Sequence, residues 1–308
     1  MYNKEDRMRI LADELLTNAI DMHCHCYPEF SLEAKKRMED VEWITLAARM
    51  GMRGAVLKSH FWPTVTNVYF LEKQIPEGFK LFSSITLNVN CGGLAAYAIE
   101  AAASMGAKVV WMPTWSARND QRVQSMSRMI KRFIPSLENY EIEGISVLDS
   151  QGLVPEAKKI IQLAHEKDLI LFTGHLSAAE GVEIARYAKE IGFKKLVFGH
   201  PDNPSINASI QEMKEVSSSG AYVEFCFLGT LPLLQRKHPR DMVNLIREVG
   251  AERCILTTDS FYDWVPPEPE IMRMGIANLL ELGISEDEMR MMVQHNPAKL
   301  LGLDVENK

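Results

Sequence analysis

What the sequence lacks narrows it first. The N-terminal stretch Met1-Tyr2-Asn3-Lys4-Glu5-Asp6-Arg7 has no apolar core of the kind a secretory signal needs. No apolar run reaches the ~20 residues of a bilayer-crossing helix. Low-complexity tracts, Gly/Ser-rich linkers and short-period repeats are missing too, so the whole of 1–308 is expected to be one domain. No G-x-G-x-x-G follows the first strand-like run, which argues against a dinucleotide-binding sheet. Nor is there an excess of positive charge. The net charge of −7 leaves no electrostatic footprint for nucleic acid or an anionic membrane and points to a small-molecule substrate. Cysteine is scarce and odd in number: Cys24, Cys26, Cys91, Cys226 and Cys254. Most lie in apolar runs and read as reduced core thiols of a cytoplasmic protein.

What is present is a rhythm. Eight short apolar runs end at or near His25, His60, Leu87, Pro113, His175, His200, Cys226 and Asp259. Helical periodicity separates them, over 5–17, 31–50 (polar from Ser31, apolar from Trp43), 68–73, 94–105, 155–167, 178–191, 210–218 and 239–249. Two or three amphipathic helices fill a tail over 270–308. Apolar strands alternating with helices imply a parallel sheet covered on both faces. Eight such units imply an α/β fold of the (β/α)8 TIM-barrel kind, with an open doubly wound sheet as runner-up. Residues 114–152 break the rhythm after the fourth strand. They read as an insertion, a hairpin or helical arm over the barrel mouth, with a short extra strand over 143–149. Its basic stretch from Arg122 to Arg132 reads most simply as a solvated helix face. Met272, Met274, Met291 and Met292 in the tail suit a homo-oligomer interface or, more commonly, core packing.

The histidines carry the chemistry. Side chains alternate along a strand, so His23 and His25 share a face, with Asp21 behind them and Met22, Cys24 and Cys26 opposite. Lys58 and His60 share a face at the end of the second strand. His175 ends the fifth strand, His200 the sixth and Asp259 the eighth. In a barrel these ends converge on one mouth. Five of eight histidines lie there; His165 and His295 fall in helices and His238 in a loop. Singly each has a plain explanation: His175 or His200 a satisfied structural residue, Asp259 a helix cap. Gly174 and Gly199 precede two of them, leaving room for a helix to pack closely. Together, imidazoles and a carboxylate suit one or two divalent ions, Zn²⁺ best, with Mn²⁺, Fe²⁺ or Ni²⁺ also compatible. Glu224, inward on the seventh strand, is placed to orient a ligand imidazole. Trp115, Arg118 and Asn203, with Phe61 and Trp62, fall in mouth loops where they would read a substrate or simply pack.

This order of residues resembles the amidohydrolase superfamily of metal-dependent hydrolases on a (β/α)8 barrel. The resemblance runs from His23-Cys24-His25 to the tail Asn296-Pro297-Ala298-Lys299-Leu300-Leu301-Gly302. It implies that His23, His25 and His175 are metal ligands and that His200 binds a second metal or contacts substrate and water. It implies that Asp259 is both ligand and general base. One departure stands out. Where many members carry a bridging Lys or Glu on the fourth strand, this chain has Trp111-Met112-Pro113-Thr114. The site is then mononuclear, or Lys58 bridges from the second strand; Lys58 reads equally as an ammonium for an anionic substrate group or a partner of Asp259. His60 reads as a further ligand or substrate contact. The implied reaction is hydrolysis of an amide, lactone or other ester, phosphoesters included. The departure also keeps open a mononuclear zinc decarboxylase and a non-catalytic metal-binding barrel.

Overall fold

Eight short runs make the frame, and those from the third onward are rich in the β-branched and aromatic residues that β propensity favours. The computed structural model describes residues 4–33, 38–232 and 234–305. The strands are β1 (Ile20–His25), β2 (Gly54–Lys58), β3 (in two pieces, Lys80–Phe82 and Ser84–Thr86), β4 (Val109–Trp111), β5 (Ile170–Phe172), β6 (Leu196–Phe198), β7 (Tyr222–Cys226) and β8 (Cys254–Thr257). All neighbours pair in parallel. β1, β2 and the first piece of β3 form one sheet, and the second piece continues through β4 to β8. The break at Ser83 divides β3 between them. Beyond β8 the chain returns to β1: Cys24 and Ser260 form a parallel bridge, and the Asp259 amide donates to the His23 carbonyl at 2.9 Å. Strand order thus runs round to its start, as in a (β/α)8 barrel.

Helices between the strands bury an outer layer, and a second apolar cluster fills the inside. Met22, Val56, Trp111, Phe172, Val197 and Ile255 meet there. The tail closes that interior from below, because Ala298, Leu300 and Leu301 belong to the same cluster. Asn296 Nδ2 fixes the tail by donating to the carbonyls of Cys254 (2.7 Å) and Ala251 (3.0 Å). Met272 and Met292 are fully buried in the outer layer. Among the described residues no helix is long and apolar enough to cross a membrane, and no cysteine is in a disulfide.

Three local expectations need correction. Ser31 opens no helix; residues 31–33 are irregular, 34–37 lie outside the described residues, and the helix starts at Asp40. Glu42 sets that start by accepting the Glu39 amide at 2.8 Å. The extra strand over 143–149 shrinks to Leu148–Asp149, paired with Gly152–Leu153. The insertion is mainly helical, Arg118–Val123 and Met126–Phe133. Met22 faces inward rather than with Cys24, because the β1–β2 register jumps between Asp21 and Cys24. This irregularity lets Met22 and the two histidines all face the interior, a common use of a bulge beside a site.

Candidate metal centre

The centre starts at the end of β1. Asp21 holds the strand by accepting from the amide (3.1 Å) and the hydroxyl (2.5 Å) of Thr258. The rings of His23 and His25 stack with centroids 5.3 Å apart. Each is pinned from behind by a buried carboxylate: His23 Nδ1 to Glu224 Oε1 and His25 Nδ1 to Glu29 Oε1, both at 2.9 Å. Glu224 is itself fixed, accepting from Thr257 Oγ1 (2.8 Å) and the His200 amide (3.1 Å). Carboxylates behind Nδ1 place the proton there and leave both Nε2 atoms as lone pairs.

Both lone pairs face one oxygen. Asp259 Oδ1 lies 3.0 Å from His23 Nε2 and 3.1 Å from His25 Nε2. Three acceptors this close repel one another unless protons or a cation sit between them. Burial works against charge at Asp259, but His23 and His25 outweigh it and hold this carboxyl well below the usual range. His23 is pushed up: burial and Lys58 oppose its protonation, and Asp259 with Glu224 prevails. Lys58 Nζ sits 2.9 Å from His23 Nε2 and 4.5 Å above the Trp111 ring, its pKa lowered by burial.

Around this trio His60 and His200 are neutral. Burial, then the charge of Lys58, pushes His60 far down; burial, then His175, brings His200 to about 3. His60 Nδ1 bonds Thr114 Oγ1 at 2.9 Å. Four buried atoms here have no hydrogen-bond partner among the described residues: His60 Nε2, His200 Nδ1, Glu29 Oε2 and Trp111 Nε1. Each such orphan costs roughly 1–3 kcal/mol. Asp259 (φ 55°) and His200 (φ 26°) also adopt left-handed backbone, a strain of ~1–3 kcal/mol per residue that clusters at functional sites. Orphaned donors and acceptors, strained strand ends and facing lone pairs all fit a bound cation. Three donor groups have ligand atoms within 4.8 Å of one another: His23–His25–Asp259, His23–His200–Glu224 and His25–Glu29–His60. The mixture of imidazole and carboxylate suits a divalent first-row metal.

A cavity of about 210 Å³ opens above the trio, with Lys58, His60, His175 and Asn203 on its wall. His175 stands one ring away, 5.1 Å from the His200 centroid and 6.3 Å from that of His60. Its Nδ1 bonds Asp120 Oδ2 at 2.7 Å. His200 opens on an adjoining, narrower cavity shared with Asp259 and Cys226. Trp115 and Arg118 are not brought to either cavity. Trp115 is buried against Phe61, and exposed Arg118 reaches Glu143 at 3.7 Å and the Gly144 carbonyl at 3.2 Å. Two residues were missed in the sequence. Glu29 carried the only available hint, a carboxylate four positions after His25. Asp120 carried none, since its partners lie 55 residues away at His175 and in the helix it caps.

No curated protein matches this chain in sequence. Residues 18–224 match DUF6282, a family of unknown function. The chain belongs to the DUF6282 family. The matched part of this DUF6282 chain runs from the approach to β1 as far as Glu224 and stops short of Asp259. Its fold is that of solved hydrolase structures. An amidohydrolase from Pseudomonas aeruginosa superposes with a TM-score of 0.64 at 13% identity, over 96% of this chain and 98% of that one. The dipeptidase AC, a metallopeptidase, gives 0.61 at 12% identity, over 94% and 99%. A probable 2-pyrone-4,6-dicarboxylic acid hydrolase from Acinetobacter baumannii, with citric acid bound, gives 0.56 at 13% identity, over 93% and 100%. Identities this low establish the barrel and leave the activity of the DUF6282 chain to its own site.

Proposed function

We propose that this protein is a metal-dependent hydrolase of a small molecule bearing an amide, lactone or other ester bond, phosphoesters included. The observation that carries the reading is the convergence of two Nε2 lone pairs and Asp259 Oδ1 within 3.1 Å, each imidazole backed by a buried carboxylate. His23, His25 and Asp259 would hold the ion, with His175 or His200 completing the set; zinc is the ion that four such donors suit best. The metallopeptidase and dicarboxylate hydrolase named above, sharing the barrel, support the same reaction class.

A divalent ion bound there supplies Lewis acidity and makes hydroxide available near neutral pH. The chain's own residues do the rest. Asp259 is ionised and accepts a proton from the attacking water, then returns it to the leaving group. His200, neutral and with Nδ1 unpartnered, hydrogen-bonds the oxygen on which charge develops. Glu224 and Glu29 keep His23 and His25 in the tautomer whose Nε2 faces the ion. Asp120 does this for His175 while its two oxygens also accept the Ser127 (2.7 Å) and Met126 (3.2 Å) amides of the arm.

Metal analysis of the purified protein tests the reading. The expected result is about one zinc per chain, lost in His23→Ala, and product that takes up ¹⁸O from labelled water across an ester, lactone and amide panel. Carbon dioxide release without ¹⁸O uptake, or a His23→Ala protein with its metal intact, overturns it. A finer expectation concerns Asp120. Asp120→Ala should weaken metal retention ~10–100-fold, the usual effect of losing a carboxylate behind a ligand imidazole. Competition with a chelator reads the affinity, and hydrogen exchange over 118–133 reads the loosened arm.

A further inference from the structure

We propose that the substrate is a small polyanion, one end placed at the metal centre and a carboxylate or phosphate end gripped by Arg128, Arg132 and Arg236. The proposal rests on the hydrolase reading above and names the class of molecule that site takes.

Charge is the first observation. The chain as a whole carries −7, yet the wall of the 210 Å³ cavity sets three arginines and Lys58 against one carboxylate, Asp259. Asp259 is already turned to His23 and His25. The second observation is ion pairing, which some arginines of the chain have while others, Arg53, Arg247 and Arg253, bond backbone carbonyls instead. Arg186 meets Glu215 at 2.7 Å as well as Glu183, and Arg273 meets Glu270 at 3.1 Å and Asp13 at 3.8 Å. Among the described residues, no carboxylate lies within ion-pair distance of Arg128, Arg132 or Arg236. Like charges one helical turn apart, as Arg128 and Arg132 are, repel unless a counter-charge joins them.

Geometry is the third. Arg128 and Arg132 project from one side of the arm helix Met126–Phe133, and Arg236 comes from the segment after β7, where it bonds the Tyr262 hydroxyl. The arm is tied to the centre through Asp120, which grips both its first amides and His175. The distance from guanidiniums to metal ligands is therefore set by the fold. Planar guanidinium forks match carboxylate and phosphate oxygens in pairs, which a lysine does not. The cavity falls below the ~300–1,000 Å³ of common ligand sites, so the polyanion is small. Met126, Met129 and Phe261 supply its apolar wall.

The test is calorimetric titration of the purified protein with glutarate, methyl phosphate and uncharged glutaramide, with metal content measured on the same samples. Glutarate or methyl phosphate is expected to bind, and the tighter of the two identifies the anionic group. Arg128→Ala/Arg132→Ala and Arg236→Ala should each weaken that binding about ten-fold or more with metal content unchanged. Arg240→Ala, outside the cavity, should leave it as it was. Glutaramide binding as tightly as glutarate, or arginine variants binding both anions like wild type, overturns the proposal. Wild-type protein that takes up no added zinc yet still binds an anion through these arginines sinks the hydrolase reading and leaves the anion site standing.

Discussion

Replacing Asp259 by asparagine is expected to abolish metal binding and lower turnover by at least ~10²–10⁴-fold, the contribution of a positioned general base, while leaving the fold intact. The separation follows from the geometry. Asp259 Oδ1 is the one anionic atom facing both Nε2 lone pairs, at 3.0 and 3.1 Å. Asparagine removes the charge that balances a cation there and the basicity that takes a proton from water. Its amide N–H groups can still donate to the two imidazoles, which offsets part of the attraction lost with the charge. Backbone geometry changes little, because the Asp259 amide still donates to the His23 carbonyl, and asparagine tolerates the φ of 55° better than most residues. Metal stoichiometry and thermal unfolding on one preparation check both halves. A variant that keeps its metal and its turnover would show that Asp259 neither binds nor catalyses. Glu224→Gln makes the graded comparison: it spares the three facing atoms of His23, His25 and Asp259 and disturbs what stands behind His23, together with the Thr257 and His200 amide contacts, so its cost should be ~10–100-fold.

The parts of this architecture that were legible are those that local pattern encodes. Apolar runs fixed all eight strands, because a parallel strand buried on both faces needs no partner to be seen. Terminal histidines and Asp259 stood out because the C-terminal ends of such strands share a rim. Errors arose where an answer lay across the barrel. Strict alternation put Met22 beside Cys24, and a register jump against β2 undid it. Trp115 and Arg118 were placed in a mouth loop by position alone, yet Phe61 and Glu143 decide where those side chains go. The basic stretch is a solvated face as it reads, with Arg128 and Arg132 exposed, but the cavity they border is not visible from the stretch itself. Helical periodicity reports which residues share a side, not what that side meets. Glu29 and Asp120 belong to the same class: a carboxylate behind a ligand is defined by its partner, and loop sequence does not record it.

Gly174 and Gly199 looked equivalent in sequence, each one position before a histidine, and the structure separates them sharply. Gly174→Ala should destabilise the protein by ~3 kcal/mol or more, combining left-handed strain with overpacking. At Gly174 (φ 60°) an added Cβ would sit 2.3 Å from the Met112 carbonyl oxygen and 2.6 Å from that of Pro113. Both obstacles are backbone, so no rotamer relieves the clash, and β4 and β5 would have to part where they end. His175 follows directly, its amide bonded to the Pro113 carbonyl at 3.0 Å. The same displacement would therefore draw its imidazole away from Asp120 and from the cavity. Gly199→Ala is expected to cost far less, since the nearest atom to its Cβ is Glu224 Oε2 at 3.5 Å, ordinary contact. Urea unfolding of the two variants side by side reads the contrast. Equal midpoints would mean that the strand ends yield to a methyl group, and the rim that places His175 would then be softer than the close approach of these carbonyls implies.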